Sequence, residues 1–158
     1  GGFKNFIKDY PDSYLATGFF VIDKEGKDNK VALDYYSPEK KELFSFNLCS
    51  GTEIGSEKVL EVSKDYVPVK LIADSVLEFD EIESMILKEL EKRKNTKIQK
   101  IILSLQNIGG KDLWICTVFV SKFGLVKVNI DDKEKKIVDF EEKSFMDMMN
   151  IFKKTNGR

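Results

Sequence analysis

Apolar and polar side chains alternate through much of the first half of the chain, in "SYLATGFFVI" (13–22), "KVALDYY" (30–36) and "ELFSFNL" (42–48). A period of two puts every second residue on one face of an extended chain, so each stretch reads as a β-strand with a buried side. "EKVLEV" (57–62) and "VPVKLI" (67–72) carry the same alternation over shorter spans and predict two further strands. The separators have turn chemistry: Gly26 and Asn29 in "DKEGKDN" suit positive φ, and Pro38 in "SPEKK" suits a position with φ of about −65°. Both read as hairpin loops, and a meander is the simplest topology.

The period then changes. In "FDEIESMILKELEKR" (79–93), Ile82, Ile86 and Leu90 recur every four residues while Glu81, Glu83, Lys88 and Glu91 take other faces, which predicts a helix ending near Asn95. Asp80 followed by Glu83 has the spacing of a capping box. Extended patterns return in "KIQKIILSLQNI" (97–108), "DLWICTVFV" (112–120), "LVKVNI" (125–130) and "KIVDF" (136–140), joined by short turns. Trp114, Cys116 and Val118 alternate with Leu113, Ile115 and Phe119, so both faces of that strand are apolar and it belongs in the middle of a sheet. The tail 144–154 spaces Phe145, Met149 and Phe152 as a helix, with Ser144 as its N-cap; it reads as a closing core helix or as a docking helix.

The pattern predicts an α+β fold, an antiparallel sheet packed on an α-helix. It divides at 75/76 into a β-meander (1–75) and a helix with a four-stranded sheet and terminal helix (76–158), forming one unit or two tightly packed, related halves. A chain of 158 residues can bury a core of its own. Twenty-six basic and 27 acidic residues, interspersed, leave a formal charge of −1 and no overall basic field for nucleic acid. "KELEKRKNTK" (88–97) mixes both signs at a helix end, where cations suit the helix dipole. No stretch reaches the roughly 18 apolar residues of a membrane span, and the start "GGFKNF" reads as processed, so any membrane attachment is expected from a segment outside this chain.

Chemistry is sparse. The chain has no histidine, the commonest general base, and its two cysteines, Cys49 and Cys116, stand 67 positions apart with no zinc-ligand spacing; both are expected as free thiols. The acidic clusters are Asp23, Glu25 and Asp28 in the first hairpin and Asp131, Asp132 and Glu134 in the last, and both read as solvated turn residues. Neither places glycine as a calcium loop requires. Gly109 and Gly110 in "QNIGGKD" precede a strand rather than a helix, so they read as a hairpin turn and not a phosphate loop. No catalytic residue, cofactor or metal ligand is assigned, and the expected class is a non-enzyme. An enzyme built on a carboxylate pair would have to use Asp131 and Asp132.

The aromatic hairpin is the remaining candidate surface. Tyr35, Tyr36, Asp34, Phe44 and Phe46 lie in "ALDYYSPEKKELFSFNL" (32–48), where the aromatics either pair across strands as ordinary sheet packing or present a contact surface to a protein or peptide partner.

The second half, "DEIESMILKELEKR … KIILSLQNIGGKDLWICTVFV … LVKVNIDDKEKKIVDFEE", resembles a PepSY-type domain over residues 79–141. Such domains are small and cystatin-like, with a helix on an antiparallel sheet, an aromatic residue in the strand after the first hairpin, and a final tight turn. Trp114 takes the aromatic place, and Ile130, Asp131, Lys136 and Ile137 take the turn; Lys135 stands where glycine is usual, and lysine adopts positive φ less readily. The preceding aromatic hairpin is similar to one found before such modules in uncharacterised archaeal proteins. The resemblance implies an extracytoplasmic or membrane-associated interaction or regulatory domain, of a kind proposed to bind or restrain peptidases, with no catalytic residue to carry over. The alternative is a carrier holding a small apolar ligand between helix and sheet, lined by Leu103, Leu105, Ile115 and Phe119.

Overall fold

All but one of the alternating stretches form strands, and these join a single sheet. The computed structural model describes residues 2–48, 54–60, 63, 65–93, 97–121, 124–144, 149–150 and 153–154. Its elements are α1 (Gly2–Asp9), β1 (Tyr14–Asp23), β2 (Lys30–Ser37), β3 (Glu42–Leu48), β4 (Ile54–Leu60), α2 (Phe79–Lys92), β5 (Ile98–Ile108), β6 (Lys111–Val120), β7 (Gly124–Asp131) and β8 (Lys136–Ser144). Among the described residues the sheet has eight strands in the order β4-β3-β2-β1-β5-β6-β7-β8, and every neighbouring pair is antiparallel. Each half of the chain contributes a helix followed by a four-stranded meander. The two meanders meet at the β1–β5 pair, which no hairpin joins.

Register shows which side each helix covers. Phe46, Leu33, Gly18, Leu105, Trp114 and Ile130 stand directly opposite one another in successive strand pairs and therefore share a face. Phe46 packs against Phe6 of α1, and Trp114 packs against Phe79 of α2, so both helices lie on that side. The main core forms beneath α2, where Ile82, Ile86 and Leu90 are 0–1% exposed against Leu103, Val118, Val126, Val128 and Ile130. Each such side chain contributes about 1.5–3 kcal/mol on burial. Gly18 leaves room in its row for the Phe20 ring, which a Cβ there would meet at 2.9 Å and have to displace.

Several elements differ from the sequence reading. α1 was not predicted: its eight residues are too few to be stable alone, and it persists because Phe3 and Phe6 pack on β2 and β3. β4 begins three residues before the predicted strand at 57. Residues 67–72 are extended but join no strand; they belong to a strap that crosses the ends of β1, β6 and β7. α2 starts two residues earlier than the Asp80 cap, since the Glu78 N–H donates to Glu81 Oε2 at 2.9 Å, and this brings Phe79 into the helix and against Trp114. Ser144 ends β8 opposite Gly124 rather than capping a helix. Of the tail helix, Met149, Asn150, Lys153 and Lys154 are helical, while Phe145, Met148, Ile151 and Phe152 lie outside the described residues, as does Cys49.

The glycine turns follow their chemistry, whereas Asn29, expected at positive φ, does not adopt it and instead accepts the Asp23 N–H on Oδ1 at 2.8 Å. Gly26, Gly109 and Gly110 all have positive φ, and so does Lys135 (φ 50°), the lysine in the glycine place of the last turn. Lys135 also reaches α2, its Nζ lying 3.1 Å from Glu81 Oε1.

Candidate functional site

The aromatic hairpin resolves into two faces. Phe44 and Phe46 are 3% and 2% exposed in a small core with Phe6, and Phe3, Tyr10 and Tyr35 pack around them. Tyr36 and Asp34 alternate onto the other face, where Tyr36 is 4% exposed with its ring 5.6 Å from that of Tyr14. Tyr36, Phe44 and Phe46 are therefore packing residues and cannot meet a partner without unfolding, which corrects their place in the candidate surface; Tyr35 and Asp34 are half-buried.

Burial pushes the Asp34 carboxyl above its ordinary value, an effect partly offset by the Ser45 hydroxyl across the strand pair. An acid raised in the fold favours its protonated form, so its contribution is most favourable below the ordinary carboxyl range and is lost as pH rises through the raised value. Asp34→Asn should therefore raise the thermal midpoint at neutral pH, by about 2 °C or less given the partial exposure, and should have no such effect in acid. Paired melting curves at the two pH values check this.

The four residues expected to line a ligand chamber do not share one. Leu103 and Leu105 pair with Cys116 and Trp114 beneath α2, whereas Ile115 and Phe119 alternate onto the opposite face, where Phe119 is 36% exposed. Cys116 is a buried free thiol, and that burial pushes it up to about 12.

The chemistry gathers instead where the strap crosses the strand ends. Tyr14 donates its hydroxyl to the Pro68 carbonyl at 2.6 Å, and the Leu71 N–H donates to the Leu15 carbonyl at 3.0 Å. Ile72 and Ala73 then donate their N–H groups to Asp112 at 3.2 and 3.0 Å, and Asn107 Nδ2 donates to the same carboxylate at 2.9 Å. Further along, Asp132 accepts from Ser75 Oγ (3.0 Å), Val76 N (2.8 Å), Leu77 N (3.2 Å) and Trp114 Nε1 (2.8 Å). A strap outside the sheet has no ladder to satisfy its N–H groups, and these two carboxylates replace one. Pro68, Leu71 and Leu77 turn inward, with Leu71 and Leu77 joining the main core.

Asp131 and Asp132 are each 2% exposed, which corrects their reading as solvated turn charges. Asp131 accepts from the Glu134 N–H at 3.0 Å, and Lys111 Nζ lies 3.2 Å away; these hold its carboxyl below the usual range, the Glu134 bond foremost. Sequence reasoning missed Asp112 and the strap, and it found Asp132 only as a solvated turn charge. The available signal was an Asp-Asp pair directly after an apolar strand, together with a lone tryptophan whose indole N–H needs an acceptor when buried. Among the described residues no group of three or more His, Cys, Asp or Glu side chains is arranged to hold a metal.

The strap also exposes several large apolar side chains among polar ones such as Asp65, Lys70 and Asp74. Tyr66, Val67, Val69, Ile72 and Val76 are 46–62% exposed on a segment whose backbone is pinned at four places. Ile72 and Val76 also wall a cleft of about 370 Å³, completed by Asp74, Gly110, Lys111, Asp112, Asp131, Asp132, Lys133 and Glu134. No helix among the described residues is long and apolar enough to cross a membrane.

No family model and no curated protein sequence matches the chain. Its fold is similar to the crystal structure of a protein from Clostridium difficile 630 described as a "putative lipoprotein", with a TM-score of 0.61 over 90% of each chain at 10% identity. At that identity the likeness is one of fold, an α+β arrangement on an antiparallel sheet.

Proposed function

We propose that the chain is a non-enzymatic interaction module of PepSY-like, cystatin-like kind that presents its strap to a protein or peptide partner. The observation that carries this reading is the run of exposed apolar side chains, Tyr66, Val67, Val69, Ile72 and Val76, on a clamped backbone. Large apolar side chains grouped in the open on one segment are the usual chemistry of contact sites. The clamps matter energetically, since a segment already ordered has little conformational entropy left to lose on binding. Helix α2 followed by β5–β8, with Trp114 in the second strand and a left-handed Lys135 in the last turn, supports the PepSY-like assignment. The description of the similar clostridial protein as a lipoprotein supports a place outside the cytoplasm.

The aromatic hairpin supports the strap from a distance, because its own rings are consumed in holding α1 and the Tyr14–Tyr36 contact. A Val67→Lys/Val69→Lys double variant should fold normally, both side chains being exposed, and should lose a partner that the unaltered chain retains from extracts of the source cells. Retention of the same proteins by both forms would remove the strap from the contact surface.

A further inference from the structure

The cleft beside the strap has a preference that its walls and rim define. Ile72 and Val76 supply apolar walls, 62% and 46% exposed. Asp112 and Asp132 are saturated by strap N–H groups and the Trp114 indole, so the cleft is already formed and rigid. Five acidic residues, Asp74, Asp112, Asp131, Asp132 and Glu134, and two lysines, Lys111 and Lys133, line it. Lys111 is already taken by Asp131, while among the described residues Asp74, Glu134 and Lys133 have no ion-pair partner, so the lining keeps an excess of negative charge. The rim is therefore electronegative around an apolar slot, and it repels phosphate and anionic lipid headgroups while attracting cations.

We propose that this cleft docks an extended polypeptide segment carrying an aliphatic side chain flanked by lysine or arginine. The aliphatic group sits between Ile72 and Val76, and the flanking cations meet Asp74 and Glu134. This rests on the partner-binding reading above and narrows it to the chemistry of the partner. The volume, about 370 Å³, lies within the range of ligand clefts, roughly 300–1,000 Å³.

The probe is a capped, fluorescein-labelled peptide of sequence Lys-Lys-Leu-Val-Lys-Lys, compared by fluorescence polarisation with Glu-Glu-Leu-Val-Glu-Glu. The basic peptide should bind saturably and weaken with added salt, and the acidic one should not bind. Asp74→Lys/Glu134→Lys should weaken binding by about tenfold or more at low salt, the scale of two lost close charge pairs. Ile72→Ser should weaken it at every salt concentration; its N–H bond to Asp112 does not depend on the side chain, so the fold is kept and a melting curve verifies this. Equal binding of both peptides, indifference to these variants, or no saturable binding at millimolar peptide would overturn the proposal. So would binding to vesicles of phosphatidylcholine and phosphatidylglycerol that is lost in Ile72→Ser, which would assign the slot to a lipid surface. A partner that is lost with Val67→Lys/Val69→Lys but kept with Asp74→Lys/Glu134→Lys would leave the strap reading standing and remove only the cleft.

Discussion

Asp132→Ala should destabilise the protein by about 3–5 kcal/mol, because it leaves several donors at once without their acceptor. Ser75 Oγ, the Val76 and Leu77 N–H groups and the Trp114 indole all converge on this one carboxylate, which is 2% exposed. Urea unfolding measures the loss. Trp114 is the only tryptophan, so its emission should shift to the red in the folded variant as the strap lifts and water reaches the indole. Asp132→Asn should cost less, about 1–3 kcal/mol, since one oxygen keeps its donors while the new NH2 group confronts a donor on the other side. A loss below about 1 kcal/mol for the alanine variant would mean that packing of Leu71 and Leu77, and not the carboxylate, holds the strap.

Phe46→Ala should cost about 3–5 kcal/mol, the usual range for emptying a buried phenylalanine site. It should also release α1. Phe46 lies 4.9 Å from the Phe6 ring, 5.5 Å from Phe3 and 6.0 Å from Tyr35, in the aromatic cluster on which α1 rests. Eight residues do not sustain a helix in water, so without that floor residues 2–9 should fray and become open to proteolysis while α2 and β5–β8 stay protected from hydrogen exchange. Tyr35→Ser, at a half-buried position, should do the same more weakly. Protection of α1 unchanged in Phe46→Ala would show that Phe44 and Tyr10 suffice to hold it.

These two variants also separate what is local from what is not. The strands β1, β2, β3 and β5–β8 and the helix α2 were legible in the sequence because each carries its own period, two or near four, over enough residues for the pattern to be unambiguous. The same holds for the central place of β6 and the turns at Gly26 and Gly109–Gly110. The α+β class and the antiparallel sheet follow from those elements and their short connections. Other features depend on partners remote in the chain. The alternation in "VPVKLI" is indistinguishable from that of a strand, yet its Leu71 N–H is taken by the Leu15 carbonyl and its Ile72 N–H by the Asp112 carboxylate, 40 residues away, so it becomes a strap. Asp131 and Asp132 read as wet turn charges because burial of a carboxylate is decided by where its donors lie, and those of Asp132 come from residues 55 to 57 positions earlier as well as from Trp114. The aromatic hairpin could have been surface or core until α1, too short to announce itself, covered one of its faces. By itself the sequence determined the periodic elements, since a repeat of side chains is a local property. The tertiary structure alone decided the joining of the two meanders at β1–β5, the clamped strap and the acidic-rimmed cleft, because each rests on hydrogen bonds and contacts between residues that only the folded chain brings together.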